Sequence, residues 1–127
     1  MQHRSHRGTL CSRIKDAIFQ VYGEDQLPII NTKAAPSEIS KWKGSKNVEK
    51  CYSNLFKKTK NGKKMYMYCI IKHVWQKIEI KNIPEIWLAY AISISEIMLN
   101  PKIKNIQASE NEVQIKIQKN LRKLVSF

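Results

Sequence analysis

The chain has little glycine and little aspartate. Its 127 residues contain four glycines, Gly8, Gly23, Gly44 and Gly62, and two aspartates, Asp16 and Asp25. No G-x-x-x-x-G-K pattern or other phosphate-cradling glycine loop is present, which excludes a P-loop ATPase and a dinucleotide-dependent enzyme. Because no aspartate follows residue 25, a Ser-His-Asp catalytic arrangement has no arguable acid.

Cysteine is also scarce, and its spacing does not indicate a metal site. Cys11, Cys51 and Cys69 are odd in number and share no C-x-x-C spacing. A secreted disulfide framework normally has an even count, and a zinc site has closely paired ligands. The thiols are therefore expected to be reduced, with no metal or other cofactor. No apolar segment follows the basic N-terminal residues, so the protein is predicted to lack a signal peptide and to be intracellular, in the cytoplasm or the nucleus or nucleoid.

Acidic residues are nearly absent from one strongly basic segment. Residues 41–64 contain nine lysines and a single acid, Glu49. The whole chain has a formal charge of +13, yet residues 82–101 contain no lysine or arginine. An AT-rich coding sequence would raise the lysine content without any function, but a solvated surface alone does not explain this segregation. The charge pattern therefore predicts an anionic partner, and nucleic acid is the favoured one.

The predicted contact residues are the lysines of this segment and one tryptophan. They are Lys41, Trp42, Lys43, Lys46, Lys50, Lys57, Lys58, Lys60, Lys63 and Lys64. Arginine is the usual bidentate reader of guanine, and Arg122 is the one arginine after residue 13, so a grip on the phosphate backbone is expected. The predicted function is non-catalytic binding, of duplex DNA in preference to RNA. Single strands are favoured if Trp42 or Tyr52 stacks on unpaired bases.

A basic surface of this kind has two other possible partners. A small protein-interaction module, such as an inhibitor or assembly factor of a virus or mobile element, would use the same lysines to dock an acidic protein. A membrane partner is disfavoured, because residues 83–99 give only 17 positions and include Glu85 and Glu96. No pattern in the chain indicates an oligomeric state.

Hydrophobic periodicity predicts a mainly α fold with at most one small β-hairpin. A disordered basic tail is expected over residues 1–8, followed by one domain over residues 9–127. Helices are predicted at 9–22, about 37–43 and 46–57, with Gly23 and Gly44 as stops and Ser45 as an N-cap. A short helix, a glycine turn and a basic helix in this order are compatible with a helix-turn-helix.

Residues 56–80 allow two interpretations. Asn61-Gly62 is a strong signal for a type I′ hairpin, which predicts strands at 56–59 and 64–70 and a winged-helix-like basic hairpin. Alternatively, the apolar positions of residues 65–80 fit one face of a single helix. Periodicity does not decide between strand and helix here.

The clearest predicted element is a helix over residues 84–99. Pro84 suits its first position, and Asn100-Pro101 ends it. Because nearly all its faces are apolar, this helix should be buried at the centre of the fold, with the others packed around it.

Near the C-terminus, a capping box of Ser109 and Glu112 favours another helix. Its outer face would be a second basic surface of Lys116, Lys119, Arg122 and Lys123. The alternation of Val113, Ile115 and Ile117 is the competing strand pattern.

Few residues suggest catalysis. Glu79-Ile80-Lys81 has the form of a nuclease metal site, but no second carboxylate is placed to complete the metal shell. His73 has no partner spaced to orient it as a base. Tyr66 and Tyr68 lack the histidine motif that accompanies the tyrosine of strand-nicking enzymes. The protein is therefore predicted not to be an enzyme.

Overall fold

The computed structural model describes residues 2–31, 34–58, 64–103 and 110–123, and over these ranges the chain is helical with no β-strand. The helices are α1 (Gln2–Tyr22), α2 (Pro36–Lys43), α3 (Lys46–Asn54), α4 (Tyr66–Val74), α5 (Glu85–Leu99) and α6 (Glu110–Lys123). A 3₁₀ turn, Ile80–Asn82, precedes α5. The predicted mainly α class is confirmed, and the division into a tail and one domain stays a prediction.

Helix α5 lies at the centre because almost none of its surface is polar. Eleven of its fifteen residues are buried, and it packs against α1, α3, α4 and α6. The hydroxyls of its two serines form hydrogen bonds with backbone carbonyls of the same helix. Ser93 Oγ donates to Ala89 O at 2.7 Å, and Ser95 Oγ donates to Ala91 O at 2.8 Å. The predicted central helix is confirmed, with Pro84 as its cap rather than its first residue. In the described part of the chain, no helix is long and apolar enough to cross a membrane.

Helices α1 and α4 pack in opposite directions. At the C-terminal end of α4, the carbonyl of Val74 accepts from the guanidinium of Arg13. At the N-terminal end of α4, the ring of Tyr66 stacks on that of Tyr22, with centroids 4.6 Å apart. Tyr22 also links α1 to α3, because its hydroxyl donates to Cys51 O at 2.8 Å.

The predicted start of α1 at Thr9 is wrong. The helix begins at Gln2, seven residues earlier than predicted. No proline occurs in these residues, and one glycine inside a helix costs only about 1 kcal/mol relative to alanine. The polar composition that suggested a tail therefore does not prevent the helix from extending.

The predicted strand at 64–70 is wrong, and the alternative of a helix over 65–80 is confirmed for residues 66–74. Met67, Ile70, Ile71 and Val74 are all buried on one face of α4. The helix ends at Val74, since Trp75 leaves the helical conformation with φ −115° and ψ 62°. All that is seen of the hairpin in the described residues is one antiparallel bridge, Lys58 to Met65. The Asn61-Gly62 turn lies outside the described residues.

The remaining predicted elements are present close to their expected bounds. α2 begins at Pro36 and ends before Gly44, and α3 follows Ser45 directly. The segment between α1 and α2 is a loop wherever it is described. α6 is a helix rather than a strand, with Ile117 and Asn120 buried on one side. Ser109 lies outside the described residues.

Replacing Gly23 with alanine should destabilise the protein. Gly23 has φ +80°, and a Cβ there would lie 2.9 Å from Asp25 Oδ1. The left-handed conformation costs a non-glycine residue about 1–2 kcal/mol, so Gly23→Ala should lower the free energy of unfolding by that amount in urea titrations. Gly44→Ala is the matched control: Gly44 has φ −80°, and its added Cβ would lie 3.3 Å from Ser40 O, so its loss should come from this contact alone and be smaller. Equal losses in the two variants would contradict this account.

Candidate nucleic-acid interface

Helix α3 presents two lysines to solvent because its N-terminus is capped in place. Ser45 Oγ accepts a hydrogen bond from Val48 N at 3.4 Å and donates to Trp42 O at 2.8 Å. With the helix starting at this point, Val48 and Cys51 face the core and are buried. Lys46 and Lys50, one helical turn apart, are exposed on the other side.

Three further lysines come together where the chain leaves α3 and enters α4. Lys57 O accepts from Tyr66 N at 3.2 Å, and Lys58 pairs with Met65. These backbone contacts bring Lys57 and Lys58 beside Lys64, and all three side chains are exposed. Lys64 Nζ also lies 4.5 Å from the ring centroid of Tyr68, within the range of a cation–π interaction.

We call these five residues the lysine surface: Lys46, Lys50, Lys57, Lys58 and Lys64. Within the described part of the chain, none of the five forms an ion pair. Glu49 is the one acid on α3. The surface is therefore strongly positive and lacks charge compensation from neighbouring described residues.

The other predicted contact lysines are distributed differently. Lys41 is exposed on the outer side of α2. Lys60 and Lys63 lie outside the described residues. Five of the nine predicted lysines are therefore exposed on α3 and in the segment that leads to α4.

Trp42 does not belong to a binding surface. Its residue is 8% exposed, its Nε1 donates to Pro28 O at 2.7 Å, and its ring centroid lies 6.2 Å from that of Phe19. The indole thus holds the loop after α1 against α2. Its predicted role in stacking on bases is wrong, because its helical spacing from Ile39 places it on the inner side of α2.

Lys43 is also buried, and its predicted phosphate contact is wrong. The residue is 2% exposed. Its Nζ donates to Ile97 O at 2.8 Å, to Asn100 O at 3.4 Å and to Ile103 O. These carbonyls belong to the last turn of α5 and the residues after it, where a helix has unsatisfied acceptors and a partial negative charge. Lys43 therefore caps the C-terminus of α5 from a different helix.

The sequence contained a signal for this role. Ile39, Trp42 and Lys43 have the i, i+3, i+4 spacing of a helix face that packs inward. A lysine on an inward face must find acceptors, because burying an unpaired ammonium is very costly. Burial lowers the pKa of Lys43 to about 8.

The residues considered for catalysis do not form a site. Lys81 and Glu79 make an exposed ion pair at 3.2 Å. His73 lines an open groove of about 510 Å³ with Arg13 and Asp16, and no described residue forms a hydrogen bond with its ring. No group of three potential metal ligands occurs among the described residues.

Replacing Lys43 with methionine should destabilise the protein. Methionine fills similar space but removes this donor from three carbonyls. Ile97 O is the buried one, Asn100 O keeps its bond from Ile103 N, and an unsatisfied buried group costs about 1–3 kcal/mol. Loss of the desolvated charge offsets part of this, so we expect a net loss of about 1–3 kcal/mol in urea titrations. Lys41→Met, on the exposed side of the same helix, should change stability little. A Lys43→Met protein as stable as the wild type would show that the cap is energetically unimportant.

The stability difference between wild type and Lys43→Met should grow with pH above about 8. The folded pKa of Lys43, about 8, lies below the ordinary value of 10.5. Between these values the unfolded chain holds a proton that the folded chain has lost, and stability rises with pH wherever the unfolded state binds more protons. We expect a slope of about 1 kcal/mol per pH unit in this window.

The comparison with Lys43→Met removes the contribution of other groups. Burial raises the pKa of the Cys51 thiol to about 11, which lowers stability at high pH, but this contribution is common to both proteins. Denaturation at pH 7, 8, 9 and 10 measures the difference. A difference that is flat or falls with pH would show that Lys43 keeps its proton in the folded protein.

Comparisons of the chain with protein-family models, with curated proteins and with solved structures gave no match. No family is therefore assigned. Inference about function starts from the residues and geometry of the chain itself.

Proposed function

We propose that the protein is a non-catalytic nucleic-acid-binding protein that grips the backbone of duplex DNA through the lysine surface. The observation that carries this proposal is the exposure of all five lysines, two on α3 and three in the segment between α3 and α4, with no ion pair to a described residue. Lysines that follow one another along the chain in this way repel one another. Phosphates would relieve that repulsion, and each contact would also release a condensed counterion.

The side chains available on this surface suit a backbone grip. Lysine is a flexible point charge that accepts many phosphate geometries, whereas base reading usually requires arginine or amide side chains. Ser45, which might have added a phosphate contact, already uses its hydroxyl in the cap of α3. Asn47 is exposed beside Lys46 and is the neighbouring group best suited to a base contact.

A helix-turn-helix use of α2 and α3 is part of the same proposal. The two helices are separated by Gly44 and Ser45 alone, and each has two lysines and one glutamate. Both lysines of α3 are exposed, whereas Lys43 of α2 is buried. In this arrangement α3 would approach the major groove with Lys46, Asn47 and Lys50 forward.

Burial of Trp42 favours duplex over single-stranded partners. Single-strand binding relies on exposed aromatic rings for base stacking. Tyr52 is half-buried, which leaves Phe56, 44% exposed, as the large exposed aromatic of the α3 region. One exposed ring provides a small stacking platform compared with five cations.

The alternative partner is an acidic protein. The same uncompensated lysines would favour it, and the protein would then be an interaction module. This alternative would be indicated by tight binding to one protein, together with an affinity for nucleic acid no better than that of a lysine polymer of equal charge.

The test is a binding titration against duplex DNA, single-stranded DNA and RNA of one mixed sequence, over a range of salt concentrations. Wild type should prefer the duplex and lose affinity steeply with salt. The double variants Lys46→Gln/Lys50→Gln and Lys57→Gln/Lys58→Gln should each lower the slope of log affinity against log salt by about 1.8, since each phosphate contact contributes about 0.9 for duplex DNA.

The matched control is Lys77→Gln/Lys81→Gln. It removes two exposed charges that follow α4 and should leave the slope unchanged. If the control lowers the slope as much as the surface variants do, binding depends on net charge alone and the assignment fails. Weak binding that is equal for all three nucleic acids at physiological salt would point to the acidic protein instead.

A further inference from the structure

The open groove of about 510 Å³ lies where the C-terminal end of α4 meets α1. Arg13 and Asp16, about one helical turn apart, line it from α1. Residues 73–78 line it from the end of α4 and the turn that follows. The volume is that of a small-molecule site, and none of the lining residues belongs to the lysine surface.

The wall of the groove that follows α4 is held in shape by hydrogen bonds. α4 ends where Trp75 leaves the helical conformation, and Ile78 N then donates to Trp75 O at 3.2 Å. Lys72 Nζ donates to Ile78 O at 3.3 Å, which ties this turn back to α4. The bond from Arg13 to Val74 O fixes the guanidinium at the end of the helix. The groove is therefore formed before any ligand binds, as is usual for small-molecule sites.

Most of the polar side chains on the groove have no partner among the described residues. Four exposed side chains form no hydrogen bond or ion pair with a described residue: Asp16, His73, Gln76 and Lys77. Arg13 uses one of its five N–H donors in the bond to α4. Arg13 and Lys77 supply two positive charges against the one negative charge of Asp16, which favours an anionic group in the ligand.

The groove also has an aromatic and aliphatic part. Trp75 is half-buried, and Ile78 is 43% exposed. An indole beside an open aliphatic side chain suits a planar ring, and nucleobases stack on aromatic side chains in this way. The carboxylate of Asp16 accepts hydrogen bonds, as the amino group of cytosine requires, and the amide of Gln76 both donates and accepts. The groove therefore combines groups for a ring, an amino group and an anion.

We propose that this groove binds a single nucleoside monophosphate whose base is unpaired and carries an amino group. The base stacks on Trp75, its amino group donates to Asp16, and its phosphate is held by Arg13 and Lys77. A free nucleotide and the end of a single strand share this chemistry. In a duplex the amino group is used in base pairing, so the groove adds nothing to the binding of a duplex. The site goes beyond the proposed function and does not rest on it.

The test is calorimetric titration of the full chain with cytidine monophosphate, uridine monophosphate and inorganic phosphate. The two nucleotides have equal charge and similar size, but only cytosine has the amino group. Cytidine monophosphate should bind more tightly than uridine monophosphate, and both should bind more tightly than phosphate. Lys77→Gln should weaken both nucleotides about tenfold, the loss typical of one hydrogen bond to a charged group. Lys81→Gln, an exposed lysine that does not line the groove, is the matched control and should change neither.

A second variant tests the reading of the base. An amide can accept from cytosine or donate to uracil, so Asp16→Asn should abolish the preference for cytidine monophosphate. Loss of structure would weaken both nucleotides alike and leave their ratio unchanged. Thermal melts of all three variants should match the wild type within a few degrees, because the replaced side chains are exposed.

Several results would overturn the proposal. These are equal binding of the two nucleotides by the wild type, phosphate binding as tight as nucleotide binding, equal losses in Lys77→Gln and Lys81→Gln, and no saturable nucleotide binding up to millimolar concentrations. If the site is supported, competition identifies its source. A single strand ending in deoxycytidine that displaces cytidine monophosphate indicates a strand end, and binding without such displacement indicates the free nucleotide. Since no lysine of the lysine surface is changed, failure of the groove leaves the proposed function standing.

Discussion

The placement of the candidate interface depends on one buried ammonium group. Lys43 is the last residue of α2, and its three acceptors belong to the end of α5 and the turn after it. Because α3 begins three residues later, the cap fixes the position from which α3 starts, and hence which of its sides meets solvent. The buried charge of Lys43 thereby determines where the exposed lysines of α3 lie. The depressed pKa of Lys43 reflects the desolvation that this arrangement requires.

Much of the helical fold could be predicted because local signals agree with tertiary packing. α5 is apolar on nearly every side and has proline at both flanks, so propensity, periodicity and burial all indicate one central helix. Ser45 and Gly44 similarly defined the junction of α2 and α3. Where signals conflict, prediction failed or stayed open: the Asn-Gly pair favoured a hairpin, while Met67, Ile70 and Ile71 favoured a helix. Packing of the core favours the helix, because all three side chains are fully buried on one face of α4.

The candidate site could be predicted by residue type but not by position. A count of lysines finds Lys46 and Lys50, because α3 is recognisable and its polar side faces outward. The same count treats Lys43 as another exposed lysine, although the spacing of Ile39, Trp42 and Lys43 places all three on the inner side of α2. The grouping of Lys57 and Lys58 with Lys64 depends on backbone contacts across a turn, which no local pattern specifies. The hydrogen bond by which Asn120 of α6 reaches Glu96 of α5, 24 residues away, is likewise not specified by periodicity.

The separation along the chain of the contacts between helices has a consequence for folding kinetics. α6 follows α5 after a short connection, so this pair can form with little loss of chain entropy. Arg13 meets Val74 across 61 residues and Lys43 meets Ile97 across 54, and such closures must lose loop entropy before their contacts contribute. The α5–α6 pair is therefore expected to assemble early, with α1 and α2 docking onto it later. Desolvation of the Lys43 ammonium would then belong to the last and slowest stage of assembly.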